Sequence, residues 1–190
     1  MIWIIIAHTF VINLAVVDNP MDMLEIGKTY YGQIFTNAYI SVDSFFFIAG
    51  VLVAFLKLKE IKADRKRLSI YSWLMFYVQR ILRISPAYYT LIVFHSFIFT
   101  SWLYNMPILL SRGFGEDSCR KNWWINFLYL NNFIDYKSMC LVPSWYLATD
   151  FQIYIFSPLL ILPFALFGSL AGLIVACTLL VISSGTICYF

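Results

Sequence analysis

The chain has 190 residues, 62% of them hydrophobic and 12% charged, with a mean hydropathy of +0.79. So little polar surface cannot cover a soluble globule, and the composition is that of an integral membrane protein. The net charge is +3, and the basic residues gather in one loop without an aromatic-interleaved stripe, which argues against nucleic acid as a partner.

Met1 to Val17 is an apolar run at the lower length limit for a spanning helix, interrupted by His8 and Asn13. No basic residue precedes it, so a signal peptide is not expected there. Residues 18–37 are polar, with Asp18, Asp22 and Glu25 against Lys28 and a turn signal at Asn19-Pro20. They read as an outside loop. Ala38 to Leu56 is the second span, with Asp43 near its outer end.

Between Lys57 and Arg83 lie eight of the thirteen basic residues: Lys57, Lys59, Lys62, Arg65, Lys66, Arg67, Arg80 and Arg83. Lysine and arginine resist translocation, so this segment marks the cytoplasmic side and sets the topology. Leu68 to Gln79 is apolar and aromatic but too short to cross, and reads as an interfacial helix. Ile84 to Tyr104, containing His95, is the third span, with Pro86 near its entry, where its missing N–H is tolerated.

Residues 105–143 form the longest polar stretch, with Arg112, Glu116, Asp117, Arg120, Lys121, Asp135 and Lys137, and lie outside by alternation. Cys119 and Cys140 share this loop and are expected to form a disulfide rather than a metal site, because no histidine accompanies them. Trp123, Trp124, Phe127, Tyr129 and Phe133 make part of the loop amphiphilic enough for the interface. From Ser144 to Phe190 only Asp150 is charged. Pro163 and Gly168-Ser169 divide this run into spans four and five. Cys177 and Cys188 read as small apolar packers. The chain ends within an uncharged run, so a longer protein is expected.

The fold class expected is therefore an all-α, polytopic membrane helical bundle. It has five spans, at about 1–17, 38–56, 84–104, 144–163 and 170–190, a cytoplasmic basic loop 57–83 and extracytoplasmic loops 18–37 and 105–143.

Four ionisable side chains fall within spans: His8, Asp43, His95 and Asp150. Each costs roughly 2.5–3.5 kcal/mol at bilayer depth, so each is expected to face a bundle interior or a wet cavity. A structural hydrogen bond between helices and a polar functional site both account for them. His8 is the strongest catalytic candidate, since imidazole exchanges a proton near neutral pH. Arg80 and Arg83 share a helix face and suit a fork for phosphate oxygens, with Tyr77 beside Arg80. Anchoring among anionic headgroups explains the same pair. No GxSxG, HExxH, P-loop or GxGxxG pattern occurs, which argues against soluble hydrolase, metalloprotease and nucleotide-binding chemistry.

Five stretches together resemble one family: IIIAHTF (4–10), SVDSFFFIAGVLVAF (41–55), YVQRILRISPAYY (77–89), CRKNWWINFLYLNNF (119–133) and VPSWYLATDFQIYIFSPLL (142–160). They are similar to the acyltransferase-3 family of multispanning membrane acyltransferases. The tryptophan-rich cysteine loop points to its animal branch, the nose-resistant-to-fluoxetine type. The resemblance implies a bundle of about ten helices, this chain supplying the first half. It implies that His8 is the catalytic histidine and that Arg80 and Arg83 form an RxxR motif near the acyl-donor site. The family pattern also has an arginine upstream of that histidine, a position ahead of Met1. Asp150 stands where many members have glutamate.

These readings combine into one expectation. Acyl-CoA, the co-substrate, docks from the cytoplasm with its phosphates on Arg80 and Arg83 and with Tyr77 nearby. His8 takes the proton of a hydroxyl acceptor (lipid, sterol or carbohydrate), and Asp43 or Asp150 orients the imidazole. No bound cofactor or metal is expected. Partners are membrane lipids, acyl-CoA and the acceptor, in the plasma membrane or endoplasmic reticulum. The alternative is a non-catalytic lipid or xenobiotic transport protein of the same fold.

Overall fold

A computed structural model describes residues 2–14, 19–99, 116–135 and 138–189. Eight α-helices account for most of it: α1 (Ile2–Leu14), α2 (Pro20–Lys28), α3 (Gln33–Thr36), α4 (Tyr39–Ala63), α5 (Ile70–Val93), α6 (Glu116–Phe127), α7 (Trp145–Leu166) and α8 (Ser169–Tyr189). No strand occurs among the described residues. In a bilayer every backbone polar group must be satisfied internally, and an all-helical chain meets that demand.

Four helical stretches are long and apolar enough to cross a membrane: Gln33–Ala63, Ile70–Phe99, Val142–Leu166 and Ser169–Thr186. The chain is thus a polytopic helical membrane protein. Its exposed surface agrees, since Phe47, Ile48, Val51, Leu52, Phe55 and Leu56 along α4 all lie at least half exposed, an arrangement suited to lipid rather than water. The expected first span is a shorter apolar helix. The 13 residues of α1 extend about 20 Å, against a hydrocarbon core of about 30 Å. The rest of that expected span, residues 1 and 15–17, lies outside the described residues, as does Asp18.

The polar stretch after α1 is more ordered than a plain loop. Pro20 opens α2 at the first helical position, where a proline needs no N–H partner. The basic segment is also largely helical. Helix α4 continues to Ala63, Asp64 accepts from the Lys66 N–H at 2.9 Å to start a short 3-10 turn over Arg65–Leu68, and α5 begins at Ile70. The Ser69 hydroxyl caps α5 by accepting from the Ser72 N–H.

The expected break between an interfacial helix over 68–79 and a third span does not occur. One helix runs from Ile70 through Arg80, Arg83 and Pro86 and ends in a π-helical turn, Phe94–Phe99. Arginine is a good helix former, and an internal proline is tolerated where neighbouring groups satisfy the freed carbonyl. Residues 100–115, including the expected end of this span and Arg112, lie outside the described residues, as does Lys137.

The last two helices form a tighter hairpin than Pro163 suggests. Pro158 and Pro163 both lie within α7, which continues to Leu166. The reversal falls at Phe167-Gly168, where Gly168 takes a φ of +89° that side-chain-bearing residues rarely adopt. Gly172 lets α8 approach closely, since a Cβ there would stand 2.2 Å from the Phe164 ring. Cys177 is exposed on α8 rather than packed inside. The side chain of Cys188 lies outside the described ones.

The chain divides into two compact units, Met1–Ile48 with Tyr88–Ala148, and Ala49–Ala87 with Thr149–Phe190. In the first, Phe10 of α1 stacks on Phe35 of α3 at 5.3 Å, and the Trp3 indole donates to the Ile34 carbonyl. Its interior is polar as well as aromatic. The Nδ2 groups of Asn126 and Asn131 each donate to Ser144 Oγ at 2.9 Å, and Asn126 also donates to the Tyr88 hydroxyl at 3.1 Å. Tyr88 and Tyr89 pack with Phe127 and Tyr129.

In the second unit, Lys57 is buried. Its ammonium donates to Glu60 and to Ser72 Oγ at 3.3 and 3.2 Å and lies over the Trp73 and Phe76 rings. This lysine therefore joins the end of α4 to the start of α5 instead of facing solvent.

Replacing Ser144 by alanine removes an acceptor shared by two buried amide groups. Ser144→Ala should lower the stability of the detergent-solubilised protein by about 1–3 kcal/mol, read as an earlier thermal unfolding transition. Ser157→Ala should shift it far less.

Candidate functional site

Helices α5 and α7 meet along a row of aromatic and charged side chains within the second unit. The Arg80 guanidinium makes an ion pair with the Asp150 carboxylate. The two side chains are only 13% and 12% exposed, so neither charge relies on water. The guanidinium also lies 4.7 Å from the centre of the Tyr154 ring, a favourable cation–π position. Two tyrosines stitch the helices reciprocally. The Tyr77 hydroxyl of α5 donates to the Ile155 carbonyl of α7, and the Tyr154 hydroxyl of α7 donates to the Phe76 carbonyl of α5, each at 3.0 Å. Phe76 and Tyr154 stack face to face at 4.2 Å between them.

The arginine pair is therefore asymmetric. Arg80 is part-buried and committed to Asp150, while Arg83, one turn further on, is exposed. The Arg80 Nε is buried and has no hydrogen-bond partner among the described residues. Arg80 therefore has its charge balanced by Asp150, while Arg83 is exposed. Tyr77, expected to stack or donate beside Arg80, uses its hydroxyl on the Ile155 carbonyl.

In the first unit, His8 is exposed on α1. Its Nδ1 lies 2.9 Å from the Ile4 carbonyl oxygen. A carbonyl can only accept, so Nδ1 donates in this contact, and in the neutral ring the lone pair is then on Nε2. The Ile4 carbonyl is the partner of His8 Nδ1, and the Asp150 carboxylate pairs with Arg80. Asp43 is exposed on α4 and pairs with none of the described residues. The geometry suits His8 to accept a proton at Nε2.

Cys119 and Cys140 form a disulfide, as their shared loop implies. The reason for dismissing a metal there does not hold in the fold. His95, from the end of α5, brings its Nδ1 to 3.4 Å from Cys119 Sγ. Sequence reasoning missed this, because the loop itself contains no histidine.

Comparison with known proteins follows the same outline. A family model described as an acyltransferase domain matches residues 1–190. The chain is 36% identical over 196 aligned positions to "Nose resistant to fluoxetine protein 6" of Caenorhabditis elegans, covering 97% of this chain and 24% of that relative. The chain thus spans about a quarter of that relative's length. No solved structure matches.

If Arg80–Asp150 holds α5 to α7, removing one partner strands a buried charge. Asp150→Ala should destabilise the protein by about 3–5 kcal/mol, and the double change Arg80→Met with Asp150→Leu should recover much of that loss. Thermal unfolding in detergent measures both.

Proposed function

Because the chain belongs to the acyltransferase-3 family, we propose that it is the part of an integral membrane acyltransferase that carries the general base for moving an acyl group from acyl-CoA to a hydroxyl acceptor. The observation that carries this reading is the contact of His8 Nδ1 with the Ile4 carbonyl in an exposed side chain, which leaves Nε2 as the basic nitrogen of the neutral ring. Nε2 removes the acceptor's proton as its oxygen attacks the thioester carbonyl. The carbon–sulfur bond then breaks, and the imidazolium returns the proton to the leaving thiolate. A lipid, sterol or carbohydrate hydroxyl serves as acceptor.

Arg83 contacts the phosphates of the donor, since it is the exposed member of the arginine pair and phosphate favours guanidinium. Arg80, Asp150 and Tyr77 hold the helix that presents it. Asp43 has no assigned role in this scheme. The basic segment 57–83 faces the cytoplasm, where acyl-CoA is found, by the asymmetry of lysine and arginine across membranes.

Two measurements on the full-length protein test the scheme. His8→Ala should lower acyl transfer by about 10²–10⁴-fold while acyl-CoA binding persists, and Arg83→Ala should weaken that binding. Transfer unchanged by His8→Ala would refute the role of the histidine. Lipid movement with no requirement for acyl-CoA would instead favour a transport protein of the same fold. For sidedness, a cysteine placed at Lys66 should react with an impermeant maleimide only after the membrane is opened to the cytoplasmic side.

A further inference from the structure

The Cys119–Cys140 disulfide has surroundings that a structural crosslink does not require. Cys119 is fully buried and Cys140 nearly so. Two consecutive residues of the π-helical turn at the end of α5 meet one sulfur each. His95 Nδ1 lies 3.4 Å from Cys119 Sγ, and Ser96 Oγ lies 3.5 Å from Cys140 Sγ. Short π-helical turns are frequent at functional sites. Here the wider turn lets neighbouring side chains address the same pair of sulfurs. The imidazole nitrogen and both sulfurs fall within 4.8 Å of one another.

We propose that, once the disulfide is reduced, His95, Cys119 and Cys140 bind one soft divalent cation of the zinc class. Two thiolates and an imidazole are the donors that zinc prefers. At ordinary zinc–ligand lengths a tetrahedral site sets nitrogen and sulfur donors about 3.6 Å apart, close to the His95–Cys119 separation already present. The two sulfurs must part, and Cys140 Sγ must close on the imidazole from within 4.8 Å to that same separation. Two thiolates also cancel the charge of a divalent ion, so the loaded site is neutral and compatible with burial. Three protein ligands leave a fourth position for water.

The chemistry balances. A dithiol reductant gives two electrons and two protons to the cystine and closes into its own disulfide. The metal then displaces both cysteine protons, which leave to solvent, while His95 coordinates as neutral imidazole. Disulfide and metal exclude each other, so occupancy reports the redox state of the loop.

Cobalt(II) titration of the full-length protein in detergent, without oxygen, tests this. After reduction by dithiothreitol and desalting, the protein should take up one Co²⁺ with a thiolate-to-cobalt charge-transfer band that Cys119→Ser abolishes. The oxidised protein should show no such band. His95→Ala should weaken Co²⁺ binding at least about tenfold, and His95→Cys should restore it with a stronger charge-transfer band. The oxidised His95→Ala protein should retain the disulfide by mass and unfold near the wild-type temperature, separating a ligand role from a folding defect. A reduced wild type without the Cys119-dependent band, or equal affinity in His95→Ala, would mean that the histidine merely packs on a structural disulfide. None of these readouts depends on acyl transfer.

Discussion

The ion pair between Arg80 and Asp150 shows the constraint under which this protein is built. A buried charge without a partner is costly, so two packed helices that each carry one are held in the register that pairs them. The pair spans seventy residues of sequence, and the reciprocal tyrosine bonds beside it repeat the demand in uncharged form. A buried ion pair adds little net stability over an apolar one. It still separates registers sharply, because sliding α5 by one turn along α7 would bare two charges and two hydroxyls. Lys57 with Glu60 and Ser72 obeys the same rule.

That constraint also divides labour among residues that look equivalent. Arg80 and Arg83 differ by less than one helical turn, yet Arg80 is spent on Asp150 and only Arg83 is exposed. An arginine whose charge is balanced holds geometry well and binds an added anion poorly. His8 meets a partner within α1 itself, the carbonyl one turn back. A local bond of this kind survives movement of the helix as a body, because donor and acceptor travel together.

Much of the architecture was legible in the sequence because hydropathy and charge act over short distances. The apolar runs, the basic segment, the reversal near Gly168 and the cystine each leave a local mark. Continuity of α5 through two arginines and Pro86 left none, since charge and proline normally argue for a helix end and only the distant Asp150 removes the objection. Pro163 misled in the same way. The partner of Asp150, the burial of Lys57 and the meeting of His95 with the cystine are all contacts between segments far apart in the chain. No spacing rule reaches them.

The cystine is not alone in fastening its loop. It closes a segment with a sequence separation of 21 residues, which in the chain-entropy model stabilises by about 3 kcal/mol. Within that same region Asn122 donates to the Ser138 carbonyl at 2.8 Å, and Asn126 and Asn131 converge on Ser144. These bonds tie α6 to the residues leading into α7 on both sides of Cys140. Opening the sulfur–sulfur bond therefore removes one fastening among several, and the two thiols remain near each other and near the end of α5. A loop held only by its disulfide would scatter the donors on reduction. One held by buried amides keeps them assembled, and that persistence is what allows a crosslink to become a ligand set.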